Sequence, residues 1–198
     1  MADTTNFQKH VNKNPIQKFL INYFYSVMIN LIKPLKSEKI LDVGAGEGFS
    51  LVKLKRNQIG KFHEGVDNSK DALKLGKKMY PKINLKLGSI YELPYKENSF
   101  DLLLCTEVLE HLDDPKKAVK ELKRVTSKYI VFSTPNEPLF TIANFLRGKY
   151  LKTFGNHPEH INHWSSGGLK KFLRQNGLKV VCVKTPFPWT LILAKKGR

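Results

Sequence analysis

The sequence predicts an α/β fold in which a mostly parallel β-sheet is covered by helices on both faces. Apolar runs typical of buried strands alternate with segments of helical hydrophobic spacing over most of the 198 residues. The first strand-like run leads directly into three glycines at alternating positions, Gly44, Gly46 and Gly48, and a helical pattern follows. A chain of this length can bury one sizeable core, so we expect a single domain over residues 1–198.

The elements follow in order along the chain. Asn14 and Pro15 provide a cap and a first-turn proline for a helix over about residues 14–33. This apolar stretch is too short and too interrupted by polar residues to span a membrane. Residues 1–10 are polar, and we expect them to be loose or disordered. Strands are predicted at residues 39–43, 62–66, 83–87, 99–105, 129–133 and 190–194.

Composition indicates the cellular compartment and the kinds of binding partner. Lys and Arg number 34 against 17 Asp and Glu, a net charge of +17, which favours polyanions such as RNA or an anionic membrane. Solvated helix faces would give the same excess without any such partner. Cys105 and Cys182 lie in apolar runs and are expected to be buried and reduced, and no apolar signal segment opens the chain. We therefore expect a cytoplasmic protein.

The glycine turn predicts a ligand site. Strand, glycine turn and helix together present bare backbone N–H groups and a positive helix terminus to a ligand. A dinucleotide fingerprint would need a third glycine where Phe49 stands, and no phosphate-binding G-K-[ST] sequence is present. Asp67 ends the second strand about 20 residues farther on, where an acid accepts hydrogen bonds from ribose hydroxyls. It could also serve as a helix N-cap.

The spacing D-x-G-x-G-x-G, which begins at Asp42, resembles motif I of the class I S-adenosylmethionine-dependent methyltransferases. The resemblance implies a Rossmann-like, doubly wound, seven-stranded sheet whose last strand is antiparallel and lies at the edge. It also implies S-adenosylmethionine as methyl donor, and a helix over residues 14–33 that packs over the cofactor cleft as a lid. Ser89 and Asn68 depart from the family, which usually has an aspartate and an apolar residue there. The implied cofactor-binding residues are Asp42, Gly44, Ala45, Gly46, Gly48, Asp67, Asn68, Ser89, Ile90 and Thr106.

The chemistry is expected after the fourth strand, in residues 106–115, because ligands bind at the carboxyl edge of such sheets. This segment lacks the Asn- or Asp-Pro-Pro-Tyr sequence of exocyclic-amine methylation and the Pro-Cys pair of attack on a pyrimidine ring. An oxygen acceptor or an activated carbon is therefore favoured. His111 is the best candidate for a general base, and His160 is a second candidate catalytic residue.

A metal ion is an alternative that we weigh but do not favour. Glu107, Glu110 and His111 would share one face of a helix, and His160 follows in a later His-rich stretch that ends at Trp164. This pattern is similar to the ubiquinone-pathway O-methyltransferases and to the small-RNA 2′-O-methyltransferases, which implies these two carboxylates and two imidazoles as ligands of a divalent ion. In metal-free relatives the same segment only orients loops. Two further histidines, His157 and His163, are expected to organise the lid.

The acceptor is expected under a roof segment of about residues 136–165, where the family inserts one. Aromatic and basic side chains alternate in it, a mixture that suits an apolar pocket, stacked bases or a lipid interface. We favour a small or lipophilic acceptor, with RNA as the alternative, and peripheral membrane contact and oligomeric state are left open. A non-catalytic S-adenosylmethionine-binding protein is a third interpretation. The side chains in question are Phe140, Phe145, Arg147, Lys149, Tyr150, Lys152 and Phe154.

Overall fold

The computed structural model describes residues 5–146 and 160–197 and contains one seven-stranded sheet. The strand order is β3-β2-β1-β4-β5-β7-β6, and β7 is antiparallel to both of its neighbours while the other pairs are parallel. The predicted mostly parallel α/β sheet with an antiparallel last strand is thereby confirmed. The strands are β1 Lys39–Val43, β2 Phe62–Asp67, β3 Asn84–Leu87, β4 Phe100–Thr106, β5 Thr126–Pro135, β6 Leu178–Lys184 and β7 Trp189–Lys196.

Seven α-helices surround the sheet in the described residues, and short polar side chains begin four of them. The side chains of Asn14, Ser69, Asp114 and Ser165 accept hydrogen bonds from first-turn N–H groups. The predicted Asn14 cap is confirmed, and no helix in these residues is long and apolar enough to cross a membrane. The helices are α1 Thr5–Val11, α2 Pro15–Ile32, α3 Phe49–Arg56, α4 Lys70–Met79, α5 Pro115–Val125, α6 Leu139–Leu146 and α7 Ser166–Gln175.

Apolar side chains fill both faces of the sheet because successive strand residues point in opposite directions. Leu41 and Leu103 pack on one face in a cluster that includes buried residues of α5 and α7. Ile40 and Leu102 pack on the other face with α2. The doubly wound arrangement follows from this division. The carboxyl ends of β1, β2 and β4 are neighbours, and we call the side of the sheet where these strands end its carboxyl edge.

Two details differ from expectation. The edge strand is β6, and β7 lies between β5 and β6, which explains why six consecutive β7 residues are buried. The N-terminal residues expected to be loose form the helix α1 from Thr5, because side chains on one face of that helix contact the glycine turn, as described below. Cys105 is buried as expected, whereas Cys182 is only partly buried because it lies on the edge strand.

Candidate cofactor and active site

The turn between β1 and α3 adopts a backbone that favours glycine. Gly44, Gly46 and Gly48 have φ values of 78°, 52° and 83°, in the left-handed region that side chains disfavour. Gly44 and Ala45 donate backbone hydrogen bonds of 2.8 and 3.1 Å to the carbonyl of Val66 in β2. The turn is thus held against the end of the neighbouring strand, with its glycines at the carboxyl edge of the sheet.

Asp67, the last residue of β2, joins the glycine turn to the start of α4. Its Oδ2 accepts a 2.7 Å hydrogen bond from the Gly46 N–H, and its Oδ1 accepts a 2.8 Å bond from the Ser69 N–H. The N-cap of α4 is Ser69, whose side chain accepts from Ala72, so Asp67 does not cap that helix. Its half-buried carboxylate stands at the edge where a ribose would lie, and Asn68 beside it is exposed.

Asp42 lies fully inside the protein beneath the turn. It is 1 % exposed, and its Oδ1 has no hydrogen-bond partner in the part of the chain that the structure describes. Burial and, to a smaller extent, the charge of Asp67 raise its pKa to about 7. Glu47 in the turn is also buried. The cleft therefore gathers carboxyl groups within a strongly basic protein, which is an environment that stabilises a cationic ligand.

The remaining predicted cofactor residues lie along the same edge. The Gly88 N–H donates a 3.0 Å hydrogen bond to the Asp67 carbonyl, which brings the turn containing Ser89 and Ile90 next to the end of β2. Ser89 is exposed and Ile90 is half-buried. Thr106 is the half-buried last residue of β4. The structure therefore gathers the sequence-predicted set at the ends of β1 to β4.

Helix α1 contacts the glycine turn, which the sequence did not lead us to expect. The Asn6 Nδ2 donates a 2.5 Å hydrogen bond to Glu47, and the His10 ring stacks on Phe49 with 4.0 Å between ring centroids. Lys9 forms a 3.5 Å ion pair with Glu107. Burial, with the charges of nearby lysines, lowers the pKa of His10 to about 3, so its imidazole is neutral. The signal we missed is the i, i+3, i+4 spacing of these polar residues on one helical face.

Glu110, His111 and His160 come together above the end of β4. One ligand atom from each lies within 4.8 Å of the others, and the two imidazole centroids are 5.1 Å apart. The Glu110 carboxyl is buried, and neither of its oxygens has a hydrogen-bond partner among residues 5–146 and 160–197. Burial first, and then the nearby Glu107 charge, raise the pKa of Glu110 well above its usual range.

The segment after β4 is not the helix that the spacing suggested. Glu107 has a positive φ of 58°, and only Leu109–His111 forms a short 3₁₀ turn. The Glu107 carboxylate turns instead toward β5 and β7, where it accepts hydrogen bonds from Ser133 Oγ at 3.0 Å and Trp189 Nε1 at 2.7 Å. Three of the four implied metal ligands therefore converge, and Glu107 has a different set of partners.

The chain after the roof segment is attached to this cluster through its backbone. Ile161 and Asn162 donate 2.8 and 2.9 Å hydrogen bonds to the Glu110 carbonyl, which fixes His160 beside His111. His163 lies farther off, with its Nδ1 3.8 Å from a Glu137 carboxylate oxygen. His157 and the roof residues Arg147, Lys149, Tyr150, Lys152 and Phe154 lie outside the described residues.

Comparisons with known proteins show which families and folds the chain resembles. Residues 41–131 match the methyltransferase domain family. The chain is 38% identical over 110 residues to an uncharacterized methyltransferase of Schizosaccharomyces pombe, a match that covers 50% of this chain and 39% of that protein. It is 28% identical over 170 residues to the ubiquinone biosynthesis O-methyltransferase of Coxiella burnetii, covering 77% and 72% of the two chains.

A solved structure shows the same fold at low sequence identity. The magnesium protoporphyrin IX methyltransferase of Synechocystis, crystallised with bound S-adenosylhomocysteine, superposes with a TM-score of 0.71 at 15% identity and covers 98% of this chain and 96% of its own. The chain spans about two fifths of the length of the fission-yeast relative. The domain match, the relatives and the fold point to one class: residues 41–131 match the methyltransferase domain family, and the chain resembles the S-adenosylmethionine-dependent methyltransferases.

Proposed function

We propose that this protein binds S-adenosylmethionine at the glycine turn and transfers its methyl group to an oxygen, or an activated carbon, of a small or lipophilic acceptor. The observation that carries the proposal is that one edge of the sheet holds the glycine turn, Asp67 and the His111–His160 pair together. The name of the Coxiella relative, a ubiquinone biosynthesis O-methyltransferase, supports a lipophilic hydroxylated acceptor.

The carboxyl groups of the cleft suit the donor, because its reactive sulfur is a sulfonium cation. Asp67 would accept hydrogen bonds from the ribose hydroxyls, each contributing about 1.5–3 kcal/mol when charge-assisted. Asp42 beneath the turn would ionise more readily once a cation is bound above it. The glycine N–H groups expected to be bare already donate to Val66, Asp67 and Ala45. The glycine backbone without side chains and the start of α3 would therefore line the rest of the donor site through close approach.

The bonds that form and break in the transfer belong to the acceptor and the donor. The acceptor atom forms a bond to the methyl carbon as the carbon–sulfur bond breaks, and the electron pair of that bond stays on the departing thioether. The protein holds the acceptor in line and removes its proton, which are the tasks of positioning and general base catalysis. His111 is the proposed base, with His160 beside it.

Histidine variants test this assignment. We expect His111→Ala, His160→Ala or the double variant to slow S-adenosylhomocysteine release by about 10²–10⁴-fold with a ring-hydroxylated aromatic acceptor, while donor affinity stays within about twofold. His63→Ala is the matched control, because His63 contacts the Ile59 carbonyl at the opposite edge of the sheet. Unchanged turnover in the double variant would contradict the role of these histidines as general base. Turnover that does not depend on the added acceptor would contradict a small or lipophilic acceptor.

Binding of a divalent ion by the same cluster is our second proposal. Glu110, His111 and His160 offer the oxygen and nitrogen ligands that such ions accept, and Glu110 has no protein partner that would compete. An ion held there would lower the pKa of an acceptor hydroxyl. Calorimetric titration with Mn²⁺ alone should then show binding that Glu110→Gln abolishes. Titrations without heat, together with chelator-resistant turnover, would establish the metal-free base.

RNA is the alternative acceptor, and the net charge of +17 is the observation that favours it. An RNA substrate would bind with an affinity that falls steeply as salt rises. A lipophilic acceptor would show almost no salt dependence. A protein that binds the donor tightly and turns over neither class would instead be a non-catalytic binder.

A further inference from the structure

The first half of α2 exposes an apolar stripe to solvent. Ile16 and Phe19 are 68% and 67% exposed, and Tyr23 is 48% exposed. Their i, i+3 and i+7 positions place them on one face of the helix, and the Phe19 and Tyr23 rings are stacked. The opposite face of α2 is buried in the core, so the helix is packed against the sheet and the stripe is exposed in the folded protein.

Helix α6 carries a second stripe of the same kind. Leu139, Ile142 and Phe145 are 47%, 51% and 46% exposed and recur every three residues. We refer to these three residues of α6 and the three of α2 as the apolar rim. Large apolar side chains exposed in groups on a monomer mark interaction surfaces more often than chance.

Both helices of the apolar rim start at the edge of the sheet that holds the candidate site. Trp189 pairs with Pro135 at the end of β5, and α6 begins four residues after that strand ends. Phe24 of α2 packs against Trp189 with 5.3 Å between ring centroids, so the residues that precede it on α2 lie at or beyond the same edge. The apolar rim therefore lies at the same edge of the sheet as the candidate donor and acceptor site.

The charges around the apolar rim select its partner. The sequence contains no Asp or Glu at positions 4–37 or at positions 138–158, which cover both rim helices. Lys13 and Lys18 are exposed beside the α2 stripe. The α2 stripe, bordered by exposed lysines in a stretch of sequence without acids, complements an anionic bilayer, where apolar side chains enter the acyl boundary and cations meet the headgroups.

We propose that the apolar rim docks on an anionic lipid bilayer, so that a lipophilic acceptor can pass from the membrane into the cleft. The proposal rests on the lipophilic acceptor proposed above. Its measurable consequence is reversible, peripheral binding, because six apolar side chains on two helices reach only the interfacial region.

Co-sedimentation with lipid vesicles tests the surface directly. We expect the full chain to sediment with phosphatidylglycerol vesicles and much less with phosphatidylcholine vesicles. Phe19→Ser should lower the vesicle partition coefficient about tenfold. Phe62→Ser is the matched control, since Phe62 is 45% exposed at the amino edge of the sheet and its loss should leave binding unchanged. Equal losses in the two variants, in folded protein, would overturn the proposal.

The charge contribution needs its own pair of variants. Lys13→Gln with Lys18→Gln should weaken binding to the anionic vesicles by roughly fivefold per charge, whereas Lys116→Gln with Lys120→Gln on α5 should not. A dimer that Phe19→Ser dissociates, without vesicle binding, would assign the apolar rim to a second copy of the chain and overturn the membrane proposal.

Donor titration and turnover of a detergent-solubilised acceptor separate the membrane proposal from the proposed methyl transfer. Loss of vesicle binding with turnover intact would leave the proposed function standing.

Discussion

At the scale of single residues, the site depends on a few groups that ordinary folding rules would not place where they are. A left-handed glycine, a buried carboxyl without a partner and a histidine with a neutral ring each cost folding free energy or restrict the sequence. These features lie together at the carboxyl edge of the sheet. Such clustering is expected of a functional site, and each feature gives a specific test.

Gly46 tests the backbone requirement. In Gly46→Ala the new Cβ would sit at a φ of 52° and 2.9 Å from the Asn6 Nδ2, so we expect a loss of about 1–2 kcal/mol in unfolding free energy and a clear loss of donor affinity. Gly167→Ala is the control, since apart from its chain neighbours and the backbone of α7 no atom of the described residues lies within 4 Å of the position that its Cβ would occupy. Urea denaturation and donor calorimetry measure both effects; equal behaviour of the two variants would contradict the backbone requirement.

Asp67 tests the ribose contact. Asp67→Ala should weaken S-adenosylmethionine binding by about tenfold or more, because a charge-assisted hydrogen bond is lost. Asp71→Ala, on the exposed side of α4, should leave the affinity unchanged. Because Asp67 also accepts from Gly46 and Ser69, thermal melting must show that the variant is folded. Wild-type affinity in the folded variant would remove Asp67 from the donor site.

Asp42 tests the electrostatics through pH. Its folded pKa of about 7 lies above the ordinary value of 3.8, so its contribution to stability is complete at low pH and is lost as pH rises through that interval. Donor binding has the opposite sign, because a cation favours the ionised carboxylate. We expect affinity to rise by up to about tenfold per pH unit between roughly pH 5 and 7, with proton release, and to level off above. Asp42→Asn should lose this dependence, whereas the same slope in both proteins would exclude Asp42 as its source.

At the scale of elements, the sequence predicted what local pattern and strand burial decide. The glycine turn, Asp67, the strands around them and the Asn14 cap all depend on residues close together in the chain. The helical condition under which Glu107 would share a face with Glu110 and His111 is not met. Glu107 instead contacts Ser133 and Trp189, partners that the sequence does not place near it. The position of β7 inside the sheet is likewise a pairing between distant segments.

Helix α1 was missed for the same reason, since its stability comes from contacts with the glycine turn. We expect the double variant Asn6→Ala and His10→Ala to speed donor dissociation about tenfold, because two contacts that hold α1 over the turn are removed. Gln8→Ala, on the exposed side of α1, is the control. Stopped-flow displacement of bound donor gives the rates. Equal rates would mean that α1 does not cover the donor.

At the scale of the whole molecule, charge is divided between the surface and the cleft. The protein carries a net charge of +17, yet Asp42, Glu47, Asp67, Glu107 and Glu110 all lie at or beneath one edge of the sheet. The cleft therefore suits a cationic donor, while the outer surface suits anionic partners. The proposed role of the apolar rim links these two properties, because a rim docked on an anionic membrane would bring a lipophilic acceptor to the site.

The measurement that tests the central claim most directly is the position of the donor methyl group. With ¹³C-methyl-labelled S-adenosylmethionine bound to the full chain, we predict nuclear Overhauser effects from the methyl protons to the imidazole protons of His111 and His160. These effects should disappear in the variants that lack the rings. Effects to Phe62 and His63 instead would place the donor in the groove at the opposite edge of the sheet and contradict the proposed site.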